Sequence, residues 1–285
     1  ALLRIAAMNG SPTHPGDLAS LPPGPDPRTV EDRWIVSRLQ QVKADTAACI
    51  ESYDFSHAAL GLYDFVYSEL CDWYLEIVKP RLAAAEDKPD VPLLATLIGI
   101  LRETVALAHP VIPFVTEELW SYLGGDGLLA GSPWPAADPS LIDMQAEVEL
   151  ERAIEAVTAI RAWRDSVGAR PGLFVPARLR ADGYDATLDV LARLARVDLA
   201  EDGAGPGPVA SVAVPCGVLE ILSDEGLDLA AAEQRRQAAR AKLQAEVARV
   251  EGKLADGRFL ERAPAAVVAG EREKLARLHD ELEAL

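Results

Sequence analysis

The side chains best placed to do chemistry in this sequence are arginines rather than nucleophiles. Between Ile160 and Arg180 the chain reads IRAWRDSVGARPGLFVPARLR, which sets Arg161, Arg164, Arg170, Arg178 and Arg180 against the single acid Asp165. A planar guanidinium fork matches phosphate oxygens, and Arg161 and Arg164 stand one turn apart on one helix face, so the pattern fits contact with a nucleic-acid backbone. A salt-bridged face fits it equally well, and residue types leave both readings open. A second basic set, Arg235, Arg236, Arg240, Lys242, Arg249, Lys253, Arg258 and Arg262, is interleaved with acids towards the carboxy terminus, which also suits a solvated helical face. Other chemistries lack their residues. His14, His57, His109 and His279 are scattered, and no HExxH or P-loop motif occurs. Cys49, Cys71 and Cys216 show no CxxC or Cys/His ligand spacing, so neither a disulfide framework nor a metal site is expected. Asp72, Glu76 and Lys79 read as a surface charge cluster on one helix face. No catalytic residue is predicted.

Charge sharpens this reading. The chain has 285 residues and a net charge of −17, yet residues 231–285 hold 11 lysines and arginines against 10 acids, so the acidity sits entirely in residues 1–230. A mean field of that sign repels polyanions, and any nucleic-acid contact must therefore be local. Apolar residues make up 49% and charged residues 26%, and no uninterrupted apolar run approaches the roughly 18 to 20 residues of a membrane span, so a globular protein without a membrane partner is expected. The amino terminus lacks the order of a secretory signal, and the cysteine usage fits a reducing cytoplasm. The sequence opens without an initiator Met on what reads as the last turns of a helix, from which a piece of a longer chain is expected.

The elements that must carry these residues follow from periodicity and caps. Residues 9–28, rich in Pro and Gly, read as a linker, with Asp26-Pro27 as the N-cap and first helical position of a helix over Thr29–Glu51. Phe55, Ala59, Leu62, Val66, Leu70, Trp73 and Ile77 step by three and four, predicting a second long helix to about Leu82 that Pro80 kinks or ends. Helices over Val91–Ala108 and Pro113–Leu123 complete a bundle. The loop Asp126–Pro139 is expected to dock through Trp134, and helix returns over Ala146–Ser166. Strands at Val175–Leu179, Val209–Val214 and Gly217–Ile221 around a helix at Ala186–Ala195 make a small α/β module, with Pro215-Cys216-Gly217 as a hairpin turn. From Asp228 onward Leu243, Val247, Val250 and Leu254 share a heptad frame with Val268, Leu275, Leu278 and Leu282. A reversal near Arg258–Arg262 would set Leu254 opposite Val268 and Val247 opposite Leu275, in a protruding hairpin with arms of roughly 35 to 40 Å. The expected fold is mainly α: an antiparallel helical bundle over 29–145 after a linker or remnant over 1–28, a helix plus small α/β module over 146–227, and an antiparallel coiled-coil hairpin over 228–285.

Specific strings then carry a resemblance. EDRWIVSRL (31–39), YDFSHAALGLYDFVYSELCDWYLEIVKPRL (53–82) and LAHPVIPFVTEELW (107–120) resemble the anticodon-binding bundle of the valyl, isoleucyl and leucyl class of aminoacyl-tRNA synthetases. CDWYLEIVKP is particularly close to the valyl enzymes. VEGKLADGRFLERAPAAVVAGEREKLARL (250–278) is similar to their terminal coiled coil, whereas an isoleucyl relative would end in a cysteine-rich zinc module that this sequence lacks. The catalytic ATP signatures and the editing domain of the family have no counterpart here. The resemblance implies a carboxy-terminal, tRNA-binding portion of a class I synthetase, inactive alone, in which the bundle takes the anticodon arm and the hairpin the tRNA corner. It further implies valine tRNA and the enzyme's own catalytic domain as partners, a monomer, a cytoplasmic location, no cofactor in this chain, and ATP and Mg for the complete enzyme. On the family match, Arg33, Arg38, Trp73, Lys79 and Arg81 are the bundle contacts to look for. An interaction scaffold built on the hairpin, or the equivalent region of an isoleucyl or leucyl enzyme, remains the alternative.

Overall fold

The computed structural model describes residues 25–84, 90–200, 207–224, 227, 229–255, 268, 270, 272, 274–275 and 277–279. These fall into two compact units, one drawn from 1–158, 180–195 and 213–218, the other from 159–179, 196–212 and 219–285.

The first unit is built on α1 (Val30–Glu51). It starts at Thr29 rather than at Asp26-Pro27, because Thr29 and Asp32 form a reciprocal capping box: the Thr29 hydroxyl accepts from the Asp32 N–H and the Asp32 carboxylate accepts from the Thr29 N–H. The next long helix changes gauge as it runs. α2 (Phe55–Asp64) passes into a π-helix (Phe65–Tyr74) and then into α3 (Leu75–Ala84). In the π stretch the buried residues are Phe65, Leu70 and Tyr74, spaced five and four, which suits the wider i→i+5 turn. Of the kink or stop expected at Pro80, the stop does not occur: α3 continues to Ala84. Proline leaves the carbonyl of Glu76 without its helical donor, and the guanidinium of Arg193 supplies one at 3.1 Å.

α4 (Val91–Ala108), capped by Asp90, is long and apolar enough to cross a membrane by length and composition, but most of it is buried in the bundle, with Leu93, Ile100 and Leu107 fully covered. α5 (Pro113–Tyr122) follows a short turn. The connection after it anchors through buried Leu129, and not through Trp134, which stays 40% exposed. Lys43, buried on α1, holds that connection by donating to Ala136 O (3.3 Å) while pairing with Glu103 (2.5 Å). α6 spans Met144–Val167, slightly longer than expected at each end.

The four strands are β1 (Val175–Ala181), β2 (Val197–Leu199), β3 (Pro208–Val214) and β4 (Gly217–Leu222), in the order β2-β1-β4-β3. β1 and β2 pair in parallel, Val175 with Val197 and Ala177 with Leu199, across the crossover helix α7 (Leu188–Ala195). β2 is too short to have left a pattern in the sequence. The turn at Pro215-Cys216 takes Cys216 to φ 61°, and Gly217 lies so close to Arg180 that an added Cβ would sit 2.0 Å from its carbonyl oxygen.

In the second unit, α8 (Leu229–Ala255) buries Val247 and Val250 with Leu278, flanked by Leu243, Leu254 and Leu275. Glu246 pairs with Lys274 (2.7 Å) and Glu251 with His279 (3.7 Å). Glu246 and Lys274 each precede a seam residue, and Glu251 and His279 each follow one. Both pairs lie beside seam residues and set positions 274–279 alongside α8. The expected reversal near Arg258–Arg262 lies outside the described residues.

Candidate nucleic-acid interface

At the amino end of α1 the basic candidates are held by acids. Arg81 donates through Nη1 to Thr29 Oγ1 (3.1 Å), to Glu31 (3.3 Å) and to both Asp32 oxygens (3.0 Å), and through Nη2 to Asp90 (3.1 Å). Asp32 is fully buried and also accepts the Tyr74 hydroxyl at 2.8 Å; burial beside that carboxylate pushes the Tyr74 phenol well above its ordinary range. Arg38 grips Glu69 bidentately (2.8 and 2.9 Å) and also bonds Gln41. Arg33 pairs with Asp143 (2.9 Å), whose carboxyl is held below its usual range by the Ala146 N–H and by Arg33. Lys79 is exposed and pairs with Glu76, and Trp73 is half-buried against the core. Arg81 and Arg38 therefore work as internal ties, a correction that their residue types could not foretell.

The carboxyl end of α1 is different in kind. The helix closes with Tyr53 N–H on Ile50 O (3.0 Å) and Asp54 N–H on Cys49 O (2.8 Å), a Schellman arrangement that puts Tyr53 at φ 61° where glycine is usual. The Tyr53 ring is 82% exposed and meets Phe55, 60% exposed, edge-on with centroids 6.3 Å apart. Phe55 was expected on the buried face; it stands in the first turn of α2, before Ala58 and Leu62 bring that helix onto the core. With Ile50, Ala59, Leu107, Pro110, Val111 and Trp134 it lines an open, apolar cavity of about 580 Å³. Phe114, 90% exposed, opens α5, and Tyr63 and Tyr67 stack on the outer face of the helix at 4.4 Å. Exposed rings beside a groove can hold unstacked bases, each worth about 1–3 kcal/mol. The sequence did carry a signal for this surface: Tyr53, Tyr63 and Tyr67 fall off the apolar period.

The five arginines of residues 160–180 separate into distinct environments. Arg164 is 6% exposed and donates to the carbonyls of Arg196 (3.0 Å), Arg170 (3.1 Å) and Leu173 (2.8 Å), so it ties backbone together instead of facing solvent. Desolvation lowers its pKa from the ordinary arginine value. Arg178 is buried and pairs with Glu220 (3.2 Å). Neither is placed for phosphate, whereas Arg161, Arg170 and Arg180 are exposed. On α8, Arg240, Lys242, Arg249 and Lys253 are exposed, Arg249 next to Glu246 (3.3 Å). Arg235 and Arg236 belong to the first half of that helix, and Arg258 and Arg262 lie outside the described residues. Among the described residues no cluster of three or more His, Cys, Asp or Glu could hold a metal ion.

Residues 32–176, from the first turn of α1 to the start of β1, match the family described as the anticodon-binding domain of tRNA ligase. The chain belongs to that family. Beyond the anticodon-binding domain, residues 228–285 match the valyl tRNA synthetase tRNA binding arm, which covers α8 and the helical positions paired with it. The chain is similar to the valine–tRNA ligases of Mycobacterium tuberculosis strain H37Rv (34% identity over 279 residues, 95% of this chain and 30% of that protein) and Mycolicibacterium paratuberculosis (36% over 286 residues, 98% and 31%). That of Ruegeria pomeroyi is 32% identical over 266 residues, 90% of this chain and 26% of that protein. The chain thus spans about 30% of the length of the curated relatives it matches. Anticodon-binding domain and tRNA-binding arm together are those of the tRNA-binding, carboxy-terminal portion of such ligases.

Proposed function

We propose that this chain holds valine tRNA for a valine–tRNA ligase, with the bundle on the anticodon arm and the arm of residues 228–285 on the outer corner where the D and T loops meet. The observation that carries the reading is the groove at the carboxyl end of α1, apolar and lined by Phe55 and Trp134 with the exposed Tyr53 ring against Phe55, on a surface made of residues within the matched anticodon-binding domain. Single-stranded RNA loops are held by such aromatic faces, and their bases are then read on their edges. Half-buried Arg33 and exposed Lys79, Arg161, Arg240, Lys242, Arg249 and Lys253 supply local attraction to phosphate within an acidic protein. The ligation itself, with its ATP and Mg²⁺, belongs to the remainder of the longer protein, whose catalytic domain is this chain's second partner. The assembly is a cytoplasmic monomer. A mobility-shift titration tests the reading: valine tRNA should bind more tightly than a tRNA with another anticodon, and valine-dependent ATP/pyrophosphate exchange by this chain should stay at background. Equal affinity for both tRNAs would remove the anticodon assignment.

A further inference from the structure

Pro80 has no amide hydrogen, so within α3 the carbonyl of Glu76 has no helical donor. That carbonyl accepts from Arg193 Nη1 at 3.1 Å, and the next one, Ile77 O, accepts from Arg193 Nη2 at 2.7 Å. Two nitrogens of one rigid fork reach two successive carbonyls, a geometry that the point charge of a lysine cannot reproduce. Arg193 comes from α7, 117 positions along from Glu76, and that helix also lays Val190 and Leu194 on the bundle core. It lies beyond residues 32–176, the stretch matching the anticodon-binding domain. Immediately past the gap in the helical bonding stands Arg81, the centre of the cage around Asp32.

We propose that Arg193 is a positioning residue that stands in for the amide hydrogen missing at Pro80, so that α7 holds α3 together past its proline and sets the placement of Lys79 and Arg81. Without it the helix would bend at its proline, as helices with an unsupported internal proline do. Arg81 would then leave Thr29, Asp32 and Asp90. The consequence for RNA rests on the tRNA-binding reading above: affinity for the anticodon arm depends on a residue outside the matched anticodon-binding segment.

The test compares the parent chain with Arg193→Ala, Arg193→Lys, Pro80→Ala and the Arg193→Ala/Pro80→Ala double variant, by hydrogen exchange of the amides of residues 77–84 and by titration with valine tRNA. Arg193→Ala should speed exchange in the last turn of α3 about tenfold or more and weaken tRNA binding, with Arg193→Lys between it and the parent. In the Pro80→Ala background the restored amide bonds Glu76 O, and Arg193→Ala should then have less than a third of its effect. An equal effect in both backgrounds would overturn the proposal. If Arg193→Ala does not fold, recovery of the fold by adding Pro80→Ala supports it and failure to recover overturns it. Faster exchange with unchanged tRNA affinity overturns the RNA consequence alone. A parent chain that does not bind tRNA defeats the functional reading instead, while the exchange cycle still decides the role of Arg193.

Discussion

At the amino end of α1, Glu31 and buried Asp32 meet Arg81 and Asp90 in a closed set of ion pairs that also engages the Thr29 hydroxyl, whereas at its carboxyl end Ile50 and Phe55 line an open apolar groove, with Tyr53 against Phe55. Both ends lie in one compact unit and are joined by one helix. The difference teaches that the charges around Asp32 serve as internal ties, whereas the exposed aromatic surface has no such internal duty and is where the proposed RNA contact would lie. A buried carboxylate must be satisfied from within the protein, so arginines near it are drawn inward and their donors are engaged. Exposed rings carry no such obligation. They persist at the surface in a chain whose core has room for Phe65, Tyr74 and Trp34.

The strongest way to break this comparison is at the cage. Arg81→Ala leaves Asp32 fully buried with only the Tyr74 hydroxyl and its capping bonds, and should destabilise the bundle by about 3–5 kcal/mol in urea unfolding. A loss under about 1 kcal/mol would show that Arg81 is a surface residue after all. At the opposite end, Tyr53→Ala with Phe55→Ala should leave the melting temperature nearly unchanged and weaken binding of valine tRNA by about 1–3 kcal/mol for each stacked base. A large drop in stability would mean that the pair is part of the core.

A smaller effect separates buried from exposed polar groups by pH. The Tyr184 phenol is buried, donates to Pro215 O at 2.9 Å, and is pushed by burial up to about 12. In the unfolded chain it ionises near 10. The fold favours its neutral form, so its contribution is complete below about pH 10 and is lost as pH rises through about 12. Tyr184→Phe should cost about 1 kcal/mol at neutral pH and flatten the alkaline decline in melting temperature. A decline as steep as the parent's would place the alkaline sensitivity elsewhere. The smallest expected change concerns Arg161, exposed one turn before buried Arg164. Arg161→Ala should lower the slope of log affinity against log salt by about 0.7–0.9 per phosphate lost, without thermal cost. Arg164→Ala should lower stability instead, because three carbonyls each lose one donor and the backbone segments it ties come apart.

Much of this architecture was legible before any coordinates. The limits of α4, the start of α5, the β3–β4 turn and the heptad seam of α8 follow from periodicity, proline positions and small-residue breaks. The physical basis of those signals acts within a turn or two of the chain. So does the family resemblance, whose strings fall on α1, α2 to α3, α4 to α5 and the arm. Even so, local rules failed at Asp26-Pro27, where the reciprocal bonds of Thr29 and Asp32 supply the stronger start, and at Phe55, where the apolar period continues past the point at which packing ends.

What the sequence determined by itself was which segments are helices or strands and which family they belong to. Tertiary structure alone decided the duty of each polar side chain. Arg38 and Arg81 were drawn to carboxylates 31 and 49 positions away, Arg164 turned inward onto backbone carbonyls, and Pro80 was kept inside a helix by a guanidinium from another element. The reason is that helix formation and capping depend on neighbours along the chain, whereas desolvating a charge forces it to find a partner wherever the fold brings one. Arginines alike in the sequence therefore ended as cage, staple and surface.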